Sequence, residues 1–426
     1  MYKKISAPIM VQWEITPVCN HNCVHCYNYW RQDLVQKLPT NFNLLFDLIS
    51  KELVKNKVFS VIITGGEPLT VIEDVVDYIK FLSNNGVWVT LNSNLALLTS
   101  EKVTLLKQCG IKSILVSLPS ADPKTNDLIT NSSGSFFKIT EGILMAKESG
   151  FPISINMVIS KLNMHQISKT AEFVASMGLK NFAVTRASDP SSNKEFYNQL
   201  LNLEEFRLMQ KELDEVGKKL NLKTDSLEAN PACSYGNYVP SQGYKFCCAG
   251  KSTCTVGFNG DIRPCNRSIM TYGNIKDGLL NSWNKMDDWR SDNWLPNECL
   301  ICNFKYQCNG GCKADAIKTF GDPQRPDPLC DFSSISLLNQ KENIALKLIE
   351  KKQFKINPKL KTRKEKFGGI LYVQLNKWTP VSVQLFNLFL QNKESMSVDE
   401  IGKILSVDSQ KAAETATFLF NKQILL

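Results

Sequence analysis

Histidine is scarce in this chain, and no apolar run is longer than a β-strand needs. Three histidines, His21, His25 and His165, occur among 426 residues. Imidazole is a common ligand in zinc and mononuclear iron sites, so this scarcity argues against a histidine-rich metal centre. The apolar runs are too short for a transmembrane helix, and the N-terminus leads into a short strand rather than a signal peptide. We expect a cytoplasmic protein with no membrane partner.

Cysteine, by contrast, is abundant, with fourteen residues in the chain. Disulfides are rare in the reducing cytosol, and thiolates are the usual ligands of iron–sulfur clusters. The ratio of cysteine to histidine therefore favours iron–sulfur chemistry. The length of 426 residues and the hydrophobic content of 43 % are typical of a globular protein with about two or three domains.

Three of the cysteines form a compact motif near the N-terminus. Cys19, Cys23 and Cys26, spaced CxxxCxxC, follow a strand-like run that ends at Thr16 and Pro17. Three thiolates can hold three corners of a 4Fe–4S cluster, and because such clusters normally take four cysteines, one iron would be open to another ligand. A structural zinc site is the alternative. Zinc favours paired CxxC knuckles and a fourth ligand, and the sequence has neither near these three cysteines.

A second motif, Gly65-Gly66-Glu67-Pro68, ends another strand-like run. Glycine lets the backbone approach a ligand closely, and Glu67 supplies an anion. These two motifs, with His25 before the last cysteine of the first, resemble the signature of the radical S-adenosylmethionine enzymes. The resemblance implies that the open iron chelates S-adenosylmethionine, that the second motif contacts the methionine ammonium, and that a 5′-deoxyadenosyl radical abstracts hydrogen from the substrate.

Strand-like and helix-like segments alternate up to about residue 190, which predicts βα units around a parallel sheet. The resemblance implies a partial (βα)6 TIM-like barrel, in which the chemistry lies at the C-terminal ends of the strands. Polar residues near those ends are candidate cofactor contacts, with ordinary loop or sheet hydrogen bonds as the alternative. The strand candidates are 11–16, 58–64, 87–91, 114–118, 153–158 and 181–184, and the polar candidates are Ser93, Asn94, Ser117, Asn156 and Arg186.

A second group of cysteines lies between residues 247 and 330. The spacing from Cys299 onward, CxxC, five residues, C, three residues, C, seventeen residues, C, resembles the SPASM domain of radical peptide and protein maturases. The resemblance implies two auxiliary 4Fe–4S clusters, and so three clusters in all. The first would use Cys247 or Cys248 with Cys254, Cys265 and Cys312, and the second would use Cys299, Cys302, Cys308 and Cys330.

Two alternatives to this assignment stay open. A zinc ribbon could use the cysteines from Cys299 to Cys312, and either Cys247 or Cys248 could serve the first auxiliary cluster. Cys109 and Cys233 are left without a metal role. Cys109 is expected to be a small buried hydrophobe.

The last sixty residues predict a separate winged-helix-like module. Helix-like stretches run over 380–390, 398–405 and 409–421 after a strand or hairpin at 367–376, and Ser397 with Glu400 forms a capping-box signature. The module resembles the PqqD-like recognition elements of ribosomal peptide pathways, which bind a leader peptide by β-strand addition.

Residues 351–366 contain eight Lys or Arg and one Glu. They form either a solvated tether or a patch that attracts an acidic leader peptide. DNA binding by the winged-helix-like module is a further possibility, but it would not explain the cysteine spacing.

The predicted domains are 1–225, the radical S-adenosylmethionine partial barrel; 226–335, the SPASM domain; 336–366, a helix and basic linker; and 367–426, the recognition module. The predicted function is oxidative cross-linking of side chains, by a thioether, carbon–carbon or ether bond, in a ribosomally synthesised precursor peptide. The alternative is oxidation of one residue in a protein, as in an anaerobic sulfatase maturase. An electron carrier and a DNA-binding redox sensor are two further classes.

The expected partners are the precursor, through its leader sequence, and a reducing protein such as flavodoxin or ferredoxin. No catalytic residue beyond the radical cluster is assigned.

Overall fold

The computed structural model describes residues 4–28, 30, 38, 41–190, 193–335, 348–375, 377–392 and 394–426. Most of the helix predicted within 336–366 lies outside these residues. Among the described residues, no helix is both long enough and apolar enough to cross a lipid bilayer.

A nine-stranded sheet forms the centre of the first 263 residues, in the order β7-β6-β5-β4-β3-β2-β1-β8-β9. Neighbouring strands are parallel from β7 to β8, and β9 is antiparallel to β8. The strands are β1 (Met10–Glu14), β2 (Ser60–Thr64), β3 (Trp88–Ser93), β4 (Ile114–Ser117), β5 (Ile153–Ile159), β6 (Asn181–Arg186), β7 (Lys223–Ser226), β8 (Thr253–Val256) and β9 (Ile262–Arg263).

Helices connect the parallel strands and bury one apolar face each against the sheet. In the first helix, Leu45, Phe46, Ile49 and Leu53 are buried, a spacing of three or four residues that places them on one face. The helices are α1 (Phe42–Lys55), α2 (Ile72–Asn84), α3 (Ser100–Gln108), α4 (Pro123–Thr130), α5 (Ser135–Glu148), α6 (Ile167–Ser176) and α7 (Leu203–Leu220). The six predicted βα units and the partial barrel are confirmed, and β7 adds a seventh parallel strand.

The cysteine-rich region continues the barrel sheet instead of starting a separate one. Strand β8 pairs with β1, with Cys254 opposite Val11, so the sheet crosses the boundary predicted at residue 225. Buried Arg263 on β9 forms an ion pair with Glu14 on β1. Five short helices follow: α8 (Leu279–Lys285), α9 (Asp287–Arg290), α10 (Asn297–Leu300), α11 (Lys305–Cys308) and α12 (Lys313–Phe320).

The C-terminal residues form a module with its own apolar core. Its three-stranded antiparallel sheet, β11-β12-β13, packs with three helices, and a second small sheet joins β10 to β14. The predicted winged-helix-like arrangement is therefore present, although the first helix begins at Val383 because the residues before it belong to β13. The elements are β10 (Gln353–Lys355), β11 (Lys361–Glu365), β12 (Gly368–Gln374), β13 (Lys377–Ser382), α13 (Val383–Gln391), β14 (Ser395–Ser397), α14 (Val398–Leu405) and α15 (Ser409–Asn421).

The basic segment 351–366 is not a solvated tether, and that interpretation of the sequence was wrong. It contributes β10 and β11. The buried guanidinium of Arg363 donates hydrogen bonds to the carbonyl oxygens of Ala7 at 2.6 Å and Pro8 at 3.1 Å. The rings of Phe59 and Tyr372 stack with centroids 4.8 Å apart. Because Ala7, Pro8 and Phe59 directly precede β1 and β2, the module is docked at the N-terminal ends of the barrel strands.

Candidate functional site

The three cysteines of the first motif lie on the loop that leaves the C-terminal end of β1, and all three are half-buried. The backbone N–H of Cys26 donates to the carbonyl oxygen of Cys23 at 3.1 Å, and Val24 donates to Ile129 at 2.9 Å. The second bond ties the loop to α4. Three thiols on one anchored loop fit an iron–sulfur cluster bound through three cysteines.

The glycine motif packs directly against this loop. The N–H groups of Gly66 and Glu67 donate to the carbonyl oxygens of Thr16 at 2.7 Å and Val18 at 2.8 Å. A Cβ atom on Gly66 would lie 2.1 Å from the carbonyl oxygen of Val18, so a side chain at this position would push the cysteine loop away. The close approach that the two glycines permit is therefore an approach to the cysteine loop itself.

Asn28 links the two motifs from the other side, because its side-chain amide donates to the carbonyl oxygen of Gly65 at 3.1 Å. The sequence reasoning did not identify this residue. The only local signal was its position, two residues after the last cysteine of the first motif.

Glu67 is buried, and donors from three residues surround its carboxylate. It accepts hydrogen bonds from the Ser93 hydroxyl at 2.6 Å, the Asn94 N–H at 2.8 Å and the Leu69 N–H at 3.0 Å. Burial raises the pKa of Glu67, while these donors oppose the rise. The side-chain amide of Asn94 in turn donates to Asn20 on the cysteine loop at 2.9 Å. Ser93 and Asn94 are thus brought to the site, and their contact with a cofactor stays a prediction.

His25 and the two polar candidates on β4 and β5 lie near the same end of the barrel. The half-buried imidazole of His25 lies 6.3 Å from the ring of Phe196, and desolvation lowers its pKa to about 4. Ser117 is aligned with Asn156 across the two strands, and Asn156 accepts a hydrogen bond from the Thr185 hydroxyl at 2.9 Å. The predicted cofactor contacts of these residues and of Pro68 stay predictions.

Arg186 has partners that the sequence did not predict. Its buried guanidinium lies 2.5 Å from Asp327 and 2.9 Å from Asp315, both in the cysteine-rich region. Although burial lowers the pKa of Arg186, the two carboxylates raise it above its ordinary value. Arg267 adds a contact of 3.4 Å to Asp315. The structure shows that Arg186 joins two regions of the chain, and its predicted cofactor contact stays a prediction.

Three cysteines of the first later set share an electrostatic environment with Cys247. Burial raises the pKa of Cys248, Cys265 and Cys312, and the charge of Cys247 raises it further. Cys254 has a different setting, because it packs in the main apolar core on β8. Burial raises its pKa to about 12, and Arg290 opposes this. Which of these cysteines bind a cluster stays a prediction.

The second set, Cys299, Cys302, Cys308 and Cys330, lines one cavity, and its binding of a cluster stays a prediction. The rings of Phe304 and Phe332 complete its walls. Cys233, which the sequence left without a role, lines the same cavity. Among the described residues, no group of three or more His, Cys, Asp or Glu is arranged to hold a single metal ion. Thiols set around an apolar cavity fit an iron–sulfur cluster.

A larger cavity of about 310 Å³ lies between the barrel and the cysteine-rich region. Its walls combine charged groups, among them Lys161, Arg186 and Asp315, with apolar side chains such as Leu201 and Leu329. Asp315 lies on α12, three residues after Cys312, and Leu329 directly precedes Cys330. Chain segments that carry one cysteine of each later set therefore line this cavity.

Comparison with known proteins identifies similar chains. Residues 13–174 match the family model described as "Radical SAM superfamily". The chain is 28 % identical over 366 residues to the AdoMet-dependent heme synthase of Methanosarcina barkeri, covering 78 % of this chain and 99 % of that protein. It is 26 % identical over 335 residues to the mycofactocin maturase MftC of Mycolicibacterium smegmatis, covering 76 % and 83 %.

Among solved structures, Streptococcus suis SuiB bound to precursor peptide SuiA has the same fold. The TM-score is 0.63 at 19 % sequence identity, and the match covers 76 % of each chain.

Proposed function

This chain belongs to the radical S-adenosylmethionine superfamily, and we propose that it is a maturase that oxidatively cross-links side chains of a ribosomally synthesised precursor peptide. The proposal rests on the direct packing of Gly66 and Glu67 on the loop of Cys19, Cys23 and Cys26. Two further sets of cysteines and a large cavity follow later in the chain. Its similarity to MftC, a maturase by name, supports peptide as the substrate class.

The residues of the first site would act by holding and orienting. Cys19, Cys23 and Cys26 would hold a 4Fe–4S cluster, and the later cysteines would hold two auxiliary clusters. When bound, these groups supply a 5′-deoxyadenosyl radical from S-adenosylmethionine and a destination for an electron. Glu67 fixes the end of β3 and the glycine turn against the cysteine loop, so the backbone that faces the cofactor is preorganised.

The cavity of about 310 Å³ is the proposed site of the peptide segment that is modified. It mixes cations, carboxylates and apolar surface, which suits a peptide with varied side chains. The buried Arg186 and its partner Asp315 form part of its wall. A cross-link removes two hydrogens from the peptide: one leaves as an atom, and the other leaves as a proton and an electron.

The C-terminal module is the proposed binding site of the leader sequence. Within the described strands, β13 pairs with β12 on one side and has no strand on the other. An edge of this kind can accept an added strand from an extended peptide. A flavodoxin or ferredoxin would supply the reducing electron.

Heme synthesis is the competing activity that the comparison raises, and the C-terminal module argues against it. The match to the heme synthase covers 99 % of that protein but leaves about a fifth of this chain unmatched. The module from residue 348 to 426 is of similar extent. A porphyrin substrate gives no reason for a recognition module, whereas a leader peptide does.

The test is anaerobic incubation of the reconstituted protein with dithionite, S-adenosylmethionine and each short peptide encoded beside its gene. We expect release of 5′-deoxyadenosine and a peptide that has lost two hydrogens, with a new cross-link visible by fragmentation. The Cys23→Ala variant should give neither product. Decarboxylation of a porphyrin with no change in any peptide would refute the proposal, and oxidation of a single residue in a folded protein would favour the alternative.

A further inference from the structure

Five cysteines, not four, line the cavity of the second set. Four of them, Cys299, Cys302, Cys308 and Cys330, come from the closely spaced motif in the sequence. The fifth, Cys233, lies in a short 3-10 helix (Ala232–Tyr235) between β7 and β8. It is 7 % exposed, and a 4Fe–4S cluster takes four cysteine ligands. One thiol in this cavity is therefore in excess.

The additional thiol, that of Cys233, lies next to Cys330 in this cavity. Both line the cavity, and Cys330 packs against the small buried cluster that contains Cys233. The residue before Cys233 is also held at the cavity, since the N–H of Ala232 donates to the sulfur of Cys308 at 3.3 Å. Cys233 thus lies at the cavity with Cys330, while the other three thiols belong to the segment that contains α10 and α11.

Arg207 on α7 holds this pair of cysteines in place. Its Nε donates to the carbonyl oxygen of Ser234 at 2.8 Å, and its terminal nitrogen lies 2.6 Å from the carboxylate of Asp331. Ser234 follows Cys233 and Asp331 follows Cys330, so one guanidinium fixes both backbone segments. The proximity of the two thiols is therefore built into the fold.

We propose that Cys233 and Cys330 are alternative ligands for one iron of the second auxiliary cluster. The inference rests on the auxiliary cluster named under the proposed function. A 4Fe–4S cluster takes four cysteine ligands, and five cysteines line this cavity. A second thiol beside Cys330 gives one iron two possible ligands, and the groups around a cluster are a recognised way to tune it.

The experiment uses the full chain, reconstituted anaerobically, with iron and sulfide measured per chain and EPR spectra recorded after reduction. The variants are Cys233→Ala, Cys330→Ala, the double variant and Cys308→Ala, with the core residue Cys109→Ala as a matched control. We expect both single variants at positions 233 and 330 to keep the wild-type iron content. The double variant and Cys308→Ala should each lose about four iron atoms per chain. The EPR signal should shift in the single variant that lacks the wild-type ligand, because the other thiol then binds the iron.

The outcomes separate this inference from the proposed cluster. If Cys308→Ala and Cys330→Ala both lose iron, the cluster exists but Cys330 is its sole ligand at that position, and the shared position is refuted. Retention of all iron by the double variant also refutes it. If Cys308→Ala loses none, the auxiliary cluster itself is refuted and the inference fails with it. Should the double variant be insoluble, Cys330→Ala alone decides, because the proposal requires it to retain iron.

Discussion

The guanidinium of Arg186 lies 2.5 Å from a carboxylate oxygen of Asp327, and this buried ion pair joins the end of β6 to the cysteine-rich region. Asp327 also accepts hydrogen bonds from the N–H groups of Cys312 at 2.7 Å and Leu329 at 2.9 Å. The carboxylate of Asp327 therefore contacts the barrel through Arg186, the backbone of Cys312, and the segment that leads to Cys330. The position of both sets relative to the barrel depends on it.

Removing the charge of Asp327 should destabilise the protein. In Asp327→Asn, the buried Arg186 loses one of its two anionic partners, and breaking a buried pair is strongly unfavourable. We expect the free energy of unfolding to fall by about 3 kcal/mol, measured by denaturant titration of the reconstituted protein. The control is Lys219→Ala, which breaks an exposed pair with Glu172 and should change the value by less than about 1 kcal/mol. Equal effects of the two substitutions would contradict the assigned role.

A methyl group at position 66 should disturb the first cluster. In Gly66→Ala the new Cβ would lie 2.1 Å from the carbonyl oxygen of Val18, so the loop of Cys19 must move. We expect loss of about four iron atoms per chain and no release of 5′-deoxyadenosine.

The matched control for that substitution is Gly150→Ala. Gly150 has a φ of +83° but no atom within 4 Å of the added Cβ, so it carries backbone strain without a clash. We expect it to cost roughly 1 kcal/mol of stability and to keep all iron. Full iron content and activity in Gly66→Ala would show that the close approach is not required.

Arg363 should hold the C-terminal module to the barrel. In Arg363→Ala the carbonyl oxygens of Ala7 and Pro8 lose their donor, and buried polar groups without partners are costly. Glu365 loses its contact with Arg363 but keeps the hydrogen bonds from Ser6. We expect faster hydrogen exchange around β11 and at the start of β1, with 5′-deoxyadenosine release unchanged. Lys359→Ala, on the exposed turn before β11, is the control. Unchanged exchange in Arg363→Ala would argue against a docking role.

With the leader bound at the C-terminal module, as proposed, the position of the module sets a minimum length for the precursor. The module lies at the N-terminal ends of the strands, whereas the cysteine loop lies at their C-terminal ends. The peptide must pass strands of five to seven residues and the surrounding helices. At about 3.3 Å per extended residue, the spacer between leader and modified residues needs roughly ten residues or more.

Shortening that spacer should therefore separate binding from reaction. We expect a precursor with a spacer of roughly five residues to bind with unchanged affinity but to receive no cross-link, as measured by fluorescence anisotropy and mass spectrometry. A control precursor with the same residues deleted after the modified segment should react normally. Normal cross-linking of the short-spacer peptide would place the leader elsewhere on the protein.

Local patterns in the sequence predicted much of the fold and site. The alternation of strand-like and helix-like runs predicted the six βα units, and the capping box at Ser397 marked the start of α14, where the structure has it. The spacing of Cys19, Cys23 and Cys26, with Gly65 to Pro68, indicated the superfamily. Each of these signals lies within a few residues of chain, where backbone geometry and side-chain periodicity are decided locally.

The tertiary structure decided the rest, because it concerns residues far apart in the chain. The sequence did not predict that Asp315 and Asp327 would pair with Arg186. It also left residues 351–366 as either a solvated tether or a peptide-attracting patch, and only the structure showed Arg363 against Ala7. Cys233 matched no spacing rule, yet it lies beside Cys330. Charge pairing, burial and thiol proximity depend on which distant segments the fold packs together, and no local pattern specifies that.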